Sequence, residues 1–252
     1  MTAPLGRLEL AGTATDGAAF VASLGLRDRR PGLSGPRVVA AMVGSLDGRA
    51  TVQGSASGLG STADREVFRE LRTASDALLV GAGTLIAERY ATVLDAPQQE
   101  RRRQAGLPRE PVVATISRRA DPALADVPLF AETGLRIQVY TEAGDPPAFE
   151  RGADVAVSVV EPGTLSPSAC LDHLQRERGA DVVMCEGGPT LLHALLADGL
   201  VDDLILTLAP MVVAGEGRSI LHGPVFDPPA RLALQAVLRG EDHLFLHYAV
   251  AP

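Results

Sequence analysis

No lysine occurs among the 252 residues, so all 23 basic side chains are arginine. That absence removes every chemistry that needs a side-chain amine: Schiff-base and pyridoxal catalysis, the Walker A loop G-x-x-x-x-G-K-[ST], and the lysine of protein kinases. Cysteine is scarce as well. Cys170 and Cys185 form no C-x-x-C pair and could make at most one bridge, which fits a reduced cytoplasmic protein with two buried thiols. The longest apolar run, residues 204–215, is too short for a membrane span and contains Pro210, and the first twenty residues lack a basic segment followed by an apolar one. Neither export nor a membrane is expected. Positive charge is also in deficit, since 31 acidic residues leave a net charge of −8. Such a field repels phosphodiester backbones and anionic membrane surfaces, so nucleic acid is not an expected partner. What remains, 46% hydrophobic and 21% charged residues, is the composition of an ordinary globular chain. Its length suits one α/β domain.

Residues 1–36 are rich in Gly, Pro, Ala and Arg and read as an N-terminal arm with a short helix near Ala18 to Leu24. The ordered domain is expected over 37–252. Apolar runs at 37–43, 76–80, 111–116, 136–140, 154–160 and 181–185 predict strands. Ser61 followed by Asp64, with Val67, Phe68, Leu71 and Ala74 at helical spacing, predicts a helix ending near Ser75. Further helices are expected over 85–89, from Ser166-Pro167 onward, and over 191–197. Residues 94–109 carry Arg101, Arg102 and Arg103 in a row and are expected to form an exposed helix or loop with the arginines in solvent. The tail, at 203–208, 231–238 and 243–250, has strand patterns without intervening helices, which predicts antiparallel strands finishing a mixed sheet.

Two units of strand, glycine turn and helix stand about a hundred residues apart, at Gly81-Ala82-Gly83-Thr84 and Glu186-Gly187-Gly188-Pro189-Thr190. Glycines there either make tight turns or bring backbone N–H groups close to a diphosphate at a helix N-terminus. On neighbouring parallel strands the two turns would open at one sheet edge, where α/β folds bind ligands. The Rossmann pattern G-x-G-x-x-G fails at Ile86. Ser117, Arg118 and Arg119 follow a strand, and a hydroxyl beside guanidiniums suits a ribose 2′-phosphate, although a solvated turn would read the same way. Asp47, before Gly48, is either a turn aspartate or an anchor for a heterocycle. His243 and His247 share a strand face with no third ligand nearby, a poor metal site, and no metal is expected. No G-x-S-x-G elbow supports a serine hydrolase.

In combination, RVVAAMVGSLDGRATVQG at 37–54, STADREVFRELRTASDALLVGAGT at 61–84, VVATISRRA at 112–120 and VVMCEGGPTLLHALLADGLVDDLILTLAPMVVAGEG at 182–217 resemble the reductase domain of riboflavin biosynthesis, the RibD C-terminal domain family. The resemblance covers about residues 36–250. It implies a dihydrofolate-reductase-like α/β domain of three layers, with a mixed, mostly parallel central sheet and an antiparallel C-terminal end. It further implies an NADPH-dependent reductase of a pyrimidine precursor of riboflavin, acting on a small heterocyclic substrate. Position by position, it places Ser45 and Asp47 at the substrate, with Asp47 and Glu186 as catalytic candidates. Gly81, Gly83, Thr84, Ser117, Arg118, Gly187, Gly188, Pro189 and Thr190 fall on the cofactor. A twofold homodimer through the C-terminal strands is implied as well, and the uncharged stretch 204–213 points the same way. Two departures stand out. The H-x-E and P-C-x-x-C patterns of the zinc deaminase half are missing, so deamination would occur elsewhere. Where those enzymes follow the glycine-threonine turn with Asp-Asp-Pro and a phosphate-holding arginine, this chain has Ile86-Ala87-Glu88-Arg89-Tyr90. Reduction of dihydrofolate or another pterin on the same fold, and NADP(H) binding without catalysis, are the alternatives.

Overall fold

Runs of Val, Leu, Ile and Ala too continuous for a half-exposed strand require cover on both faces, and helices supply it. The computed structural model describes residues 15–28, 35–149 and 152–250. Its strands are β1 (Arg37–Ser45), β2 (Ala77–Gly81), β3 (Val112–Ile116), β4 (Arg136–Thr141), β5 (Asp154–Val159), β6 (Val182–Cys185), β7 (Asp203–Ala209), β8 (Leu232–Gly240) and β9 (His243–Val250). The helices are α1 (Gly17–Ser23), α2 (Thr62–Ala74), α3 (Ala82–Ala87), α4 (Ala96–Gln104), α5 (Pro167–Arg178) and α6 (Pro189–Ala197). All nine strands join one sheet in the order β5-β4-β3-β2-β6-β1-β7-β9-β8. From β5 to β7 the neighbours are parallel, while β9 runs antiparallel to β7 and β8 antiparallel to β9. The expected mixed sheet with an antiparallel C-terminal end is therefore present.

Two apolar layers sandwich the sheet. One is built on Phe20, Leu71, Leu85 and Leu94 against Val39, Leu78, Val113 and Met184. The other sets Leu171 and Leu174 of α5 and Leu192 and Leu195 of α6 against Val38, Leu79 and Val183. Caps fix the helix starts: the Ser61 hydroxyl accepts the Asp64 N–H, and the Ser166 hydroxyl accepts the Ala169 N–H with Pro167 in first position. The short helix expected in the arm is α1, and its Phe20 and Val21 are buried. Residues 1–14 and 29–34 of that arm lie outside the described residues.

Two expectations need correction. The helix read from 85 begins at Ala82, because Gly81 leaves β2 directly into the first helical turn, and Arg89 at φ +47° closes it. The arginine row is not a solvated face. Asp95 and Gln98 form a capping box that starts α4, and helical rotation turns Arg102 inward to 1% exposure. Its guanidinium donates to the carbonyls of Pro108, Thr73 and Ser75, whereas Arg101 and Arg103 pair outside with Glu70 and Glu100. The uncharged run at 204–208 forms β7 in the sheet interior, and the edge strands are β5 and β8; Leu232 and Leu234 of β8 are 40% and 51% exposed.

Candidate active site

Parallel strands deliver their C-terminal ends to one rim, and there β2 and β6 are neighbours. Their two glycine turns meet backbone to backbone, with the Gly81 N–H donating to the Gly187 carbonyl at 2.9 Å. A Cβ on Gly81 would come within 3.3 Å of the Gly188 Cα, and one on Gly188 would stand 3.2 Å from the Thr84 hydroxyl. Gly187 and Gly188 have φ of +86° and +65°, where a side chain is strained. Gly188 caps α6, with Pro189 and Thr190 forming its first turn. A cavity of about 600 Å³ opens against these turns, lined by Gly81, Gly83, Thr84, Gly188, Pro189 and Thr190 on one side and Arg118 on another. Bare backbone at a helix N-terminus, with open space where a side chain on Gly83 would stand, fits a dinucleotide diphosphate.

Ser117 and Arg118 part company at the end of β3. The Ser117 hydroxyl is buried and accepts the Asp121 N–H at 3.2 Å. Arg118 reaches the cavity, held by Glu142 at 2.8 Å and the Leu165 carbonyl at 3.2 Å, with 59% of its side chain still exposed. A pre-oriented, half-free guanidinium is what a phosphate monoester pairs with.

A second cavity, about 420 Å³, lies between α2 and the strands β1, β6 and β7, and shares Thr84, Gly188, Pro189 and Arg218 with the first. Period-two alternation along β6 carries Glu186 onto the α2 side, with its side chain 0% exposed. Arg72 binds it in a fork, Nε to Oε1 at 2.6 Å and Nη2 to Oε2 at 2.7 Å, and the Tyr90 hydroxyl donates to Oε2 at 2.8 Å. Arg72 also stacks over the Phe68 and Tyr90 rings at 4.8 and 5.3 Å. Burial, and then the neighbouring carboxylate, raise the Tyr90 phenol well above its ordinary value, so it remains a donor. Burial opposes the Arg72 charge, but Glu186 more than offsets it.

Ser45 is buried at the end of β1, and its hydroxyl donates to Asp47 at 2.5 Å. Asp47 also accepts the N–H groups of Val213 and Ala214 at 3.1 and 2.7 Å. The Ser45 hydroxyl and then these two N–H groups hold its carboxyl down at about 2. Neither Ser45 nor Asp47 lines either cavity; together they tie the β1 turn to the loop after β7. Several cavity residues escape sequence reasoning. Arg72 and Asp64 read only as helix formers, Tyr90 only as a departure from a pattern, and Arg218 stands in a loop without periodicity. Asp64 lines the second cavity with Thr207 of β7, and burial raises its carboxyl, partly offset by the Thr207 hydroxyl.

Residues 36–244 match the family model described as the RibD C-terminal domain. The chain belongs to this family. Among its relatives, the 2,5-diamino-6-ribosylamino-4(3H)-pyrimidinone 5′-phosphate reductase of Archaeoglobus fulgidus is 28% identical over 78% of this chain and 91% of its own length. The reductase of the same name from Methanothermobacter thermautotrophicus is 29% identical over 85% and 98%. Among solved structures, a pyrimidine reductase-like protein from Corynebacterium diphtheriae superposes with a TM-score of 0.70 at 23% identity, over 86% of this chain and 92% of that one, and shares the fold. Both of these relatives are reductases by name, and the chain, as a RibD C-terminal domain, is an oxidoreductase.

Proposed function

We propose that this RibD C-terminal domain reduces a phosphoribosylamino-pyrimidine precursor of riboflavin with NADPH, in the cytoplasm. The observation that carries the reading is the shared wall. One cavity has the bare glycine turns that suit a dinucleotide, the other has polar groups on an otherwise apolar lining, and both meet at Thr84 and Gly188. Bound NADPH supplies the hydride. Gly83 leaves room for its diphosphate, Gly81, Gly187 and Gly188 let the two turns close against each other and against Met42 beside it, Thr84, Pro189 and Thr190 shape the two helix starts, and Arg118 faces its 2′-phosphate. Glu186 locks Arg72 and Tyr90 into one rotamer each, giving the substrate a rigid wall, which is how alignment of two reactants is obtained without a covalent nucleophile. The thiols of Cys170 and Cys185 take no part, since burial pushes both up to about 12. Asp47 positions the loop at the end of β1 rather than touching substrate.

Purified protein, followed by NADPH absorbance, tests the reading against its rivals. Oxidation with a ribosylamino-pyrimidine phosphate and none with dihydrofolate is expected. Oxidation with dihydrofolate alone makes it a pterin reductase, and binding of NADPH without oxidation by any of these substrates makes it a non-catalytic module. No helix among the described residues is long and apolar enough to cross a membrane. The exposed Leu232 and Leu234 on the edge strand β8 support a homodimer of two such chains. Light scattering is expected to give twice the 26.2 kDa chain mass, and the single-chain mass rejects the dimer.

A further inference from the structure

We infer that Glu88 is a positioning residue: it clasps residues 52–58 shut along the border of the second cavity and so sets how tightly that cavity holds its ligand. The inference rests on the reductase reading above for the identity of the ligand, and on geometry alone for the clasp. Glu88 lies in the stretch Ile86-Ala87-Glu88-Arg89-Tyr90, where this chain departs from the family pattern, and it lines the second cavity and not the first. Its Oε2 accepts the Ser55 hydroxyl at 2.8 Å and its Oε1 accepts the Ala56 N–H at 2.9 Å. Both oxygens therefore hold the chain. Glu88 also closes α3, one turn after Thr84, with its own N–H on the Thr84 carbonyl at 2.9 Å. The clasp thus fastens the border of the second cavity to the helix whose first turn lines both cavities.

The segment that Glu88 holds has little else to hold it. Gln53 at φ +51° and Gly54 at φ +89° make a two-residue turn, closed by the Val52 N–H on the Ser55 carbonyl at 2.8 Å and the Ser55 N–H on the Val52 carbonyl at 3.2 Å. Ser55 then caps a single 3-10 turn, Ala56–Gly58, its hydroxyl accepting the Ser57 N–H. These bonds are internal, so the segment is stiff in itself and moves as one piece. Its flanks are fastened elsewhere: the Ala50 N–H donates to the Arg218 carbonyl at 2.7 Å, and the Leu59 carbonyl accepts from His243 Nε2 at 2.9 Å. Between those points, among the described residues, the two bonds to Glu88 are the only hydrogen bonds that leave the segment. Gly54 and Ser57 line the cavity and are exposed as well, which makes the segment the boundary between ligand and solvent. A ligand that needs the boundary closed binds in proportion to the fraction of molecules in which it is closed.

The test uses the full chain and begins without ligand. Amide exchange followed by nuclear magnetic resonance reports opening through the Ser55 and Leu59 N–H groups, which are bonded within the segment and not to Glu88. A hydrogen bond to a charged group is worth about tenfold or more, so Glu88→Ala is expected to speed their exchange by about ten- to a hundredfold, with exchange in the sheet unchanged. Glu88→Gln can keep both contacts, its amide oxygen taking the Ala56 N–H and its NH2 donating to the Ser55 oxygen, and should restore most of the protection. With NADPH and the ribosylamino-pyrimidine phosphate, Glu88→Ala is expected to raise KM by about three- to tenfold with little change in kcat. NADPH affinity should not move, because neither Glu88 nor the segment lines the first cavity. Equal exchange in parent and Glu88→Ala overturns the clasp, and faster exchange with an unchanged KM overturns its hold on the ligand. If neither parent nor variant oxidises NADPH, the reductase reading fails, and the exchange rates still decide the clasp.

Discussion

Replacing Arg72 by Met keeps most of the side-chain volume and removes the charge that Glu186 was buried to meet. Both partners are enclosed, with side-chain exposures of 13% and 0%, so solvent screening does not dilute the effect. Orphaning one member of a buried pair costs about 3–5 kcal/mol. The upper end has a natural ceiling, because a lone carboxylate sheds its charge by taking a proton. With an ordinary glutamate value near 4.3, holding that proton at pH 7 costs roughly 1.36 × 2.7, or about 3.7 kcal/mol. The Tyr90 hydroxyl still donates and reduces the sum slightly, so a loss of about 3 kcal/mol at pH 7 is expected. The pH dependence has a fixed sign. In Arg72→Met the folded state binds a proton that the unfolded state does not, so acidification stabilises the variant relative to the parent. At pH 5.5 the same product is roughly 1.36 × 1.2, about 1.6 kcal/mol. Urea unfolding of parent and variant at both pH values measures the two differences. A variant within about 1 kcal/mol of the parent at pH 7, or a difference that does not shrink on acidification, refutes the view that Arg72 is there to compensate a buried anion. Adding Glu186→Gln to Arg72→Met should recover most of the loss, since no charge is then left behind.

Arg118→Ala should weaken NADPH by about ten- to a hundredfold and leave NADH nearly untouched, because one charge-assisted contact to a 2′-phosphate is worth about 1.5–3 kcal/mol; equal affinity of the parent for both cofactors removes the assignment. Gly188→Val puts a branched side chain at φ +65° and against Thr84, so fluorescence titration should find no NADPH binding in a protein that circular dichroism shows folded. Normal binding would make the turn merely structural. Asp47→Asn should loosen the loop at Val213 and Ala214. The Asp47 carboxyl lies at about 2 against an ordinary 3.8, so its contribution is complete above about pH 4 and is lost as pH falls through 2; the gap between parent and variant unfolding midpoints should close over that window and nowhere above it.

Local chemistry made much of this protein legible before its structure. The Ser61 and Ser166 caps, the apolar runs of β1, β2 and β6, and the Gly-Gly-Pro turn before α6 each act over a few residues, and each is where its pattern placed it. The errors share a cause. Arg102 sits in a row of identical charges, and nothing within four residues of it announces that three carbonyls await it inside. Arg72 and Glu186 are 114 positions apart and become partners only because β6 inserts between β1 and β2. Asp64 carries two messages, a helix start and a cavity wall, and the commoner message hides the other. At Asp47 the Asp-Gly turn is legible, but the partners of its carboxylate are not: beside the Ser45 hydroxyl they are N–H groups of a loop over 160 positions away.

The close approach of Gly81 to Gly188 ties the rim of β2 to the rim of β6, so the wall between the two cavities is a single stiff partition. Thr84 and Gly188 line both chambers, so ligands in the two would meet the same residues. Linkage makes any influence between them mutual: whatever factor NADPH adds to the affinity for a pyrimidine, the pyrimidine adds to the affinity for NADPH. Order of addition then loses its meaning at equilibrium and keeps it only in the rates.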